Sequence, residues 1–396
     1  MNIKVVTINN YWRFGGAERV FVEYINVLKR KYDVYSACSD KECHLKLEIY
    51  KTPFQYIFNV GNFWKLYRRL LILKPNFIHF HNYYYLSPSV LLAVIIYKRK
   101  FINTKIIQTL HDFHLFCPNA SMFNFNKNEI CNKCVRKRVK LSIFKERCDR
   151  RGLFYSWIKG VRSLVDLTLL DHKNTIDLFI VPSELMKSFL ISEGIKAERI
   201  KLLRNPIMKI PRRISIVNKK NIIVYIGRIS PEKNIELLIK AFQSINLKNW
   251  KLNIIGKGDQ AYFEYLRRIS KSENINFLGY VPPEDMDRYL EESKILVLPS
   301  KWLENAPVSI LEAYTAGVKP LVPDIGGGAE TVKLVEGTDG IFGYNSLDSL
   351  IQTMRYFMEN YSKWGAKLND IMQNIKEYFG INNFSRKLRQ IYESLY

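Results

Sequence analysis

The chain has 396 residues, and its 61 Lys and Arg against 37 Asp and Glu give a formal net charge of +24. This length exceeds one ordinary hydrophobic core and predicts two domains. The longest apolar run, 86–97, is shorter than the roughly 18 residues that span a bilayer. The N-terminus reads as a buried strand and lacks the cleavage site of a signal peptide, so we expect a cytoplasmic protein.

Apolar strand patterns alternate with helical periodicity in both halves of the chain. The predicted strands are 3–8, 33–37, 77–80, 105–110 and 178–181, then 222–226, 251–255, 275–278, 295–298 and 318–322. Strands separated by helices predict right-handed βαβ units with parallel sheets. We therefore predict an α/β protein with two Rossmann-like, doubly wound domains. Their predicted ranges are 1–203, with an insertion at about 117–150, and 221–375, with a linker at 204–220 and a C-terminal helix at 376–396.

The basic excess is concentrated in the first half of the chain. Residues 1–200 carry 33 basic and 16 acidic residues, and 127–162 alone carries 12 basic and 3 acidic residues. Such a surplus indicates a partner that bears phosphate: nucleic acid, anionic lipid or a phosphorylated small molecule. The alternative is an ordinary solvated surface in a Lys-rich sequence.

Residues that directly follow strands are the candidates for a site, because ligands bind beyond the carboxyl ends of parallel strands. Gly15 and Gly16 let the backbone approach a ligand at a helix N-terminus, where anions are favoured. Arg228 and Lys233 offer two cations suited to a diphosphate. Gly256 follows a further strand. Each signal is weak alone, since tight turns and exposed cations are common.

Two glutamates flank a predicted helix start at Pro307. Glu304 precedes it, and Glu312 comes eight residues later, so both carboxylates can face one ligand. A carboxylate can accept two hydrogen bonds from a ribose diol. A buried Glu312 without a polar partner would be costly, which favours a ligand or a structural partner.

Taken together, these motifs resemble glycosyltransferase family 4, in the right order along nearly the whole chain. The motifs are Gly15-Gly16-Ala17-Glu18, Gly227-Arg228 with Glu232-Lys233, Gly256-x-Gly258, Leu298-Pro299-Ser300 and Glu304-Asn305-Ala306-Pro307-x4-Glu312. The resemblance implies the GT-B fold, with two Rossmann-like domains facing a central cleft, and a reaction that retains the anomeric configuration.

The resemblance also implies roles for individual residues. Arg228 and Lys233 would bind the donor diphosphate, Glu312 the donor ribose, and Glu304 the sugar hydroxyls near the reacting centre. The other implied donor-binding residues are Gly15, Gly16, Gly256, Asn305, Ala306, Pro307 and Val308. No metal is required for transfer, because the acids of Asp285-Met286-Asp287 are interpreted as first-turn residues of a helix.

His111-Asp112 follows a predicted strand, and a lone His is more often structural. The run from His111 to Cys117-Pro118 resembles members of the family in which this His reaches the donor sugar from the acceptor side. His111 is therefore a predicted catalytic residue, with Asp112 kept as a candidate beside it. His79 and His81 are weaker candidates after another strand.

Four cysteines, Cys117, Cys131, Cys134 and Cys148, fall within 32 residues. Cys131-x2-Cys134 is a metal-ligand spacing, and four thiolates complete a tetrahedral structural zinc site. Free thiols and a redox-active Cys131–Cys134 pair remain as alternatives. We expect no disulfide framework in a cytoplasmic chain.

We thus expect transfer of a sugar from a nucleotide-sugar donor to a glycan or lipid-linked acceptor, in bacterial surface polysaccharide or lipid-linked glycan synthesis. We also expect peripheral binding of the basic half to the anionic inner face of the cytoplasmic membrane, and no nucleic-acid partner. The alternatives are a GT-B sugar-nucleotide epimerase and, in another class, a zinc-stapled basic nucleic-acid-binding protein.

Overall fold

The computed structural model describes residues 3–12, 15–208, 210–211 and 214–396. They divide into two compact units: unit 1, Met1–Pro206 with Phe384–Tyr396, and unit 2, Ile207–Asn383. Unit 2 thus begins earlier than the predicted 221, and most of the last helix belongs to unit 1.

Unit 1 is built on a parallel sheet of strand order β3-β2-β1-β4-β5-β8-β9, with a separate antiparallel hairpin, β6-β7. The strands are β1 (Lys4–Ile8), β2 (Asp33–Cys38), β3 (Leu45–Lys46), β4 (Phe77–Phe80), β5 (Lys105–Thr109), β6 (Phe123–Asn124), β7 (Glu129–Ile130), β8 (Leu178–Val181) and β9 (Ile200–Leu202). The helices are α1 (Gly16–Leu28), α2 (Pro53–Ile57), α3 (Val60–Leu73), α4 (Ser89–Lys100), α5 (Ser142–Glu146), α6 (Leu153–Ser163), α7 (His172–Thr175) and α8 (Glu184–Ser192), with a π-helix at Leu164–Leu169 and a 3₁₀ turn at Ala197–Arg199. Strands inside the sheet such as β8 are buried along their whole length, which is why they form continuous apolar runs in the sequence.

Unit 2 is built on a second parallel sheet, of strand order β12-β11-β10-β13-β14-β15. The strands are β10 (Ile222–Ile226), β11 (Lys251–Ile255), β12 (Ile275–Gly279), β13 (Ile295–Val297), β14 (Lys319–Pro323) and β15 (Ile341–Phe342). The helices are α9 (Ile235–Ile245), α10 (Gln260–Ile269), α11 (Pro283–Glu292), α12 (Val308–Thr315), α13 (Gly326–Glu336), α14 (Leu347–Gly365) and α15 (Leu368–Phe379), with a 3₁₀ turn at Pro231–Lys233. The predicted D-x-D acids open α11, with Asp285 in its first turn.

The last helix, α16 (Ile381–Glu393), returns the chain to unit 1. Phe384 packs edge-on against Tyr24, with ring centroids 4.9 Å apart, and Tyr392 stacks on Tyr32 at 5.6 Å. The buried Tyr392 hydroxyl also hydrogen-bonds His79 at 2.8 Å. These aromatic contacts explain why the chain terminus is part of the first core.

The segment predicted as a linker, 204–220, includes residues 209, 212 and 213, which lie outside the described part. Most of the segment belongs to unit 2, and its residues Ile214 and Ile216 pack against the hydrophobic core of that unit. The Lys219 ammonium donates to the carbonyls of Leu290 and Ser293 at 2.9 Å each, at the C-terminus of α11. A cation at a helix C-terminus satisfies carbonyls that have no helical partner.

The expectation of no disulfide framework did not foresee the one disulfide that the structure shows, between Cys38 and Cys43 at the end of β2. The other four cysteines are free thiols. Within the described ranges, no helix is long and apolar enough to cross a membrane.

A buried ion pair ties β14 to the end of α13. The Lys319 ammonium contacts a Glu336 carboxylate oxygen at 2.6 Å, and both side chains are almost fully buried. Glu336 also accepts from the Tyr314 hydroxyl and, at 2.7 Å, from the Trp364 indole. Breaking a buried pair leaves an uncompensated charge, so its loss should be far costlier than loss of a surface pair.

We expect Lys319→Met to lower the free energy of unfolding by about 3–5 kcal/mol, because Glu336 is then left buried without its cation. The measurement is urea unfolding followed by circular dichroism. Lys367, which pairs with Asp339 at the surface, gives the control: Lys367→Met should change the free energy by less than about 1 kcal/mol. Equal effects for the two variants would contradict the buried pair.

Candidate active site

The loops after β10 and β11 touch each other at glycines. A Cβ on Gly256, whose φ is +148°, would lie 1.8 Å from the Gly227 carbonyl oxygen, and one on Gly258 would lie 2.0 Å from that of Ile229. Only glycine fits such an approach. Because Gly256 and Gly258 have no Cβ, the Gly227-Arg228 turn after β10 can pack directly against the loop after β11.

Lys233 and Glu304 meet beyond the carboxyl ends of β10 and β13. The Lys233 ammonium donates to Glu304 Oε1 at 2.5 Å, and the Ser300 hydroxyl donates to the same oxygen at 2.7 Å. Burial acts to raise the pKa of Glu304, but the Lys233 charge and hydrogen bonds outweigh it and hold that pKa below its ordinary value. Glu304 is therefore an anchored carboxylate at neutral pH.

Trp302 lies beneath both predicted diphosphate cations. Its ring centroid is 4.6 Å from the Lys233 ammonium and 5.6 Å from the Arg228 guanidinium carbon. Arg228 Nη2 donates to the buried Glu232 carboxylate at 3.0 Å, and the Arg228 side chain is 48% exposed. Ion pairing and cation–π contact thus orient the two cations while leaving much of Arg228 accessible.

The glycines that open α13 fit against the backbone of the Glu304 loop. The Gly327 amide donates to the Glu304 carbonyl at 2.6 Å, and a Cβ on Gly327 would lie 1.5 Å from the Asn305 carbonyl oxygen. Gly326 has a φ of +71°, a conformation that glycine favours. These contacts explain the glycines at 326 and 327.

Helix α12 begins one residue later than predicted, because Pro307 is its N-cap residue and Val308 is the first helical residue. Asn305 is buried, while Ala306, Pro307, Val308 and Glu312 are half-buried. The predicted burial of Glu312 is therefore only partial. Its position on the second turn of α12 leaves it accessible to a ligand.

Gly15 and Gly16 open α1 in unit 1, next to residues 13 and 14, which lie outside the described part. Gly15 is the N-cap residue, and Glu18, three residues on, accepts a hydrogen bond from the Gly15 amide. This arrangement resembles a capping box. Burial raises the pKa of Glu18, although the amides oppose the shift. Glu18 therefore holds the two-glycine turn in place.

His111 and Asp112 follow β5 and are held by side chains from the end of β4. His111 Nε2 lies 3.1 Å from His81 Nδ1, and Asp112 accepts from the Asn82 amide at 2.8 Å. His114 Nδ1 lies 2.6 Å from the other Asp112 oxygen. Burial acts to raise the pKa of Asp112, but His114 outweighs it and keeps that pKa below its ordinary value. The fixed, ionised Asp112 therefore stands beside His111.

His79, one of the weaker sequence candidates, lies inside β4 and not after it. It is fully buried between the Tyr392 hydroxyl, at 2.8 Å, and the Thr109 hydroxyl, at 2.9 Å. Its partners are structural, so His79 is not a site residue. Only His81 reaches the strand end and touches His111.

Four side chains of these two sites were given no role in the sequence analysis, although Ser300 belongs to one of its motifs. Trp302 contacts the unit 2 cations, Ser300 donates to Glu304, and Asn82 and His114 fix Asp112. Asn82 follows β4 directly, so its position after a strand was an available signal. The role of Trp302 depends on a loop conformation that no local pattern specifies.

Two family models together match almost the whole chain. One, described as Glycosyltransferase Family 4, matches residues 14–208, and the other, described as Glycosyl transferases group 1, matches residues 207–378. The chain belongs to the family 4 glycosyltransferases. Membership of this family was predicted from the motifs and is confirmed.

Two curated members of related function align with part of this family 4 chain. A lipopolysaccharide 1,2-N-acetylglucosaminetransferase of Salmonella typhimurium is 30% identical over 201 residues, 43% of this chain and 50% of that protein. The O-antigen biosynthesis glycosyltransferase WbnH of Escherichia coli is 30% identical over 174 residues, 42% and 48% of the two chains. The chain spans about half the length of these relatives.

Solved structures resemble the family 4 chain over its full length. Anabaena HepE in complex with UDP and glucose has a TM-score of 0.71 at 15% identity, covering 99% of this chain and 100% of that one. WaaG, a glycosyltransferase involved in lipopolysaccharide biosynthesis, has a TM-score of 0.67 at 15% identity, covering 98% and 99%. The likeness shows the fold, and the predicted GT-B class with two α/β domains is confirmed.

We expect His111 to stay neutral until the pH falls to about 4. Burial lowers its pKa to about 4, although the Asp112 charge acts in the opposite direction. The measurement is an NMR titration of the His111 ring. Asp112→Asn removes the opposing charge and should move the midpoint lower still, whereas a midpoint near the ordinary value of about 6.5 would contradict this burial.

Proposed function

We propose that this protein transfers a sugar from a nucleotide-sugar donor to an acceptor glycan, with retention of anomeric configuration, in the synthesis of surface polysaccharide or lipid-linked glycan. The observation that carries the proposal is the joined Arg228, Lys233, Trp302 and Glu304 cluster beyond β10 and β13. It combines two cations for phosphate with an ionised carboxylate for sugar hydroxyls.

Donor binding is proposed to use these cations together with helix α12. Arg228 and Lys233 contact the diphosphate, the N-terminus of α12 faces its charge, and Glu312 accepts from the ribose diol. The UDP bound to HepE and the N-acetylglucosaminetransferase activity of the Salmonella relative support a UDP-sugar as the first donor to test.

Leaving-group charge is proposed to be neutralised by Arg228, Lys233 and the α12 amides. Preorganised charges of this kind lower the barrier because they need no rearrangement as charge develops. On this account the transfer uses protein cations at the diphosphate and needs no divalent metal there. His111 and Asp112 of unit 1 are proposed to serve the transfer step itself.

We expect Arg228→Ala and Lys233→Ala each to weaken binding of UDP about 10–100-fold, because each loses a charge-assisted hydrogen bond of about 1.5–3 kcal/mol. Glu312→Gln should weaken it through the ribose. The measurement is isothermal titration calorimetry. Arg267, an exposed cation on α10, provides the control variant Arg267→Ala, which should bind normally. Unchanged affinity in all three site variants contradicts the assignment.

Two further substitutions should lower turnover more than they lower donor affinity. Glu304→Ala removes the carboxylate that faces the sugar and one of the contacts that position Lys233, so UDP affinity should fall by no more than about tenfold, while kcat should fall about 100–1000-fold. His111→Ala should likewise lower kcat with little change in affinity. Steady-state kinetics with nucleotide sugars and glycan acceptors decide this. Normal turnover in both variants would refute their role, and donor isomerised without acceptor would indicate an epimerase.

Membrane binding by unit 1 is the second part of the proposal. Helix α6 exposes Phe154 by 65% and Trp157 by 51%, and the nearby Leu141 is exposed by 60%. Exposed cations lie close along the chain: Arg136, Lys137, Arg138, Lys145, Arg147 and Arg150. Phe123 of the same segment is buried and takes no part.

Aromatic side chains anchor at a membrane interface, and basic ones are drawn to anionic lipid. We propose that this face meets the anionic inner leaflet, where a lipid-linked acceptor is presented.

We expect the protein to sediment with vesicles that contain phosphatidylglycerol and not with neutral phosphatidylcholine vesicles. Phe154→Ser/Trp157→Ser should reduce the bound fraction at least about tenfold, because two interfacial anchors are lost. Tyr356, which is 56% exposed in unit 2, gives the matched control Tyr356→Ser, which should bind as the wild type does. Equal binding to both vesicle types would exclude the membrane surface.

A further inference from the structure

Four cysteines in the insertion between β5 and β8 have no place in the donor site or the transfer step. Cys117, Cys131, Cys134 and Cys148 are among the residues that line one small cavity of about 10 Å³. All four are free thiols, and Cys131 alone is half-buried while the others are buried. A cavity of this size admits about one water-sized body.

The first two cysteines are brought together by the β6-β7 hairpin. The Cys117 carbonyl accepts from the Ala120 amide at 2.7 Å, which closes a turn that leads into β6. The Cys131 amide donates to the Met122 carbonyl at 2.9 Å across the hairpin. Residues 14 apart in sequence are thus fixed through their backbones at the same cavity.

The other two cysteines are fixed in the same way. The Cys148 carbonyl accepts from the Phe125 amide at 3.1 Å and from the Asn119 side-chain amide at 3.0 Å. The Cys134 carbonyl accepts from the buried Lys140 ammonium at 2.7 Å. Three separate stretches of chain therefore converge on one small space through polar contacts.

Backbone strain accumulates beside the cysteines. Ala120, Met122, Arg136 and Arg147 all have positive φ values, between 49° and 60°. Each such non-glycine residue costs about 1 kcal/mol or more and persists only where its surroundings hold it. A segment with little apolar periodicity needs a strong local restraint to keep four of them.

We propose that Cys117, Cys131, Cys134 and Cys148 bind one structural zinc ion that holds the 117–150 insertion together. Four thiolates are a complete tetrahedral set for zinc, and binding releases the four thiol protons with no change of oxidation state. The resulting centre carries two negative charges, which the 12 basic residues of 127–162 offset.

Closure of the site requires rotation of side chains. In the present rotamers, no group of three or more His, Cys, Asp or Glu across the described ranges is positioned to hold an ion. Each cysteine sulfur turns on a single torsion with three staggered positions. Zinc binding would therefore draw together the sulfurs of four cysteines that already line one cavity.

Elemental analysis of the full chain, purified without chelator, tests the proposal. We expect about one zinc per chain, falling below about a tenth in Cys131→Ser/Cys134→Ser. The matched control is Cys38→Ser/Cys43→Ser, a cysteine pair outside the cavity, which should keep its zinc. Affinity for UDP should be unchanged by zinc content in folded protein, which separates this test from that of the donor site.

Co²⁺ binding to the wild-type protein provides a second test, which can be carried out even if the double variant does not fold. Wild-type protein stripped of zinc and given Co²⁺ should show thiolate-to-cobalt charge transfer and the visible bands of a tetrahedral site. Folded protein that binds neither metal, with all four thiols open to titration, overturns the proposal. A Cys131–Cys134 disulfide, seen as two fewer thiols in denaturant, overturns it as well.

Discussion

The ion pair between Lys233 and Glu304 is the contact on which the unit 2 site depends. It joins a 3₁₀ turn after β10 to the loop after β13, and the Ser300 hydroxyl reinforces it. The same loop is held from the other side by the Gly327 amide. Because a cation with too few hydrogen-bond partners would swing into solvent, this pairing keeps Lys233 where a phosphate can reach it.

In unit 1, the corresponding contact is between two neutral histidine rings, those of His81 and His111. Burial keeps the pKa of His81 and His111 below the ordinary value, so their ring contact needs no counter-charge. Asp112 is the ionised member, held by Asn82 and His114. Each candidate site thus contains an anchored carboxylate: Glu304 in unit 2 is stabilised by the Lys233 charge, and Asp112 in unit 1 by the charge and hydrogen bonds of His114.

The long buried strands could be predicted from the sequence because a parallel sheet requires continuous apolar segments. The site positions could be predicted because ligands bind beyond the carboxyl ends of such strands. β4, β8, β10 and β11 have their predicted bounds, whereas the short edge strands β3, β9 and β15 are too brief to leave a period. Lys233 and Glu304 were assigned to the site by motif, but their ion pair was not foreseen. Such pairings depend on loops from distant strands, so they are fixed by tertiary structure alone.

The most direct test is a crystal structure of this chain with UDP bound. We expect diphosphate oxygens within hydrogen-bond distance of both Lys233 Nζ and the Arg228 guanidinium nitrogens, with the ribose hydroxyls on Glu312. We also expect the Glu304 carboxylate to lie beyond the β-phosphate, on the side where the sugar of a donor would be attached. A diphosphate bound away from both cations, with neither side chain in contact, would contradict the central claim.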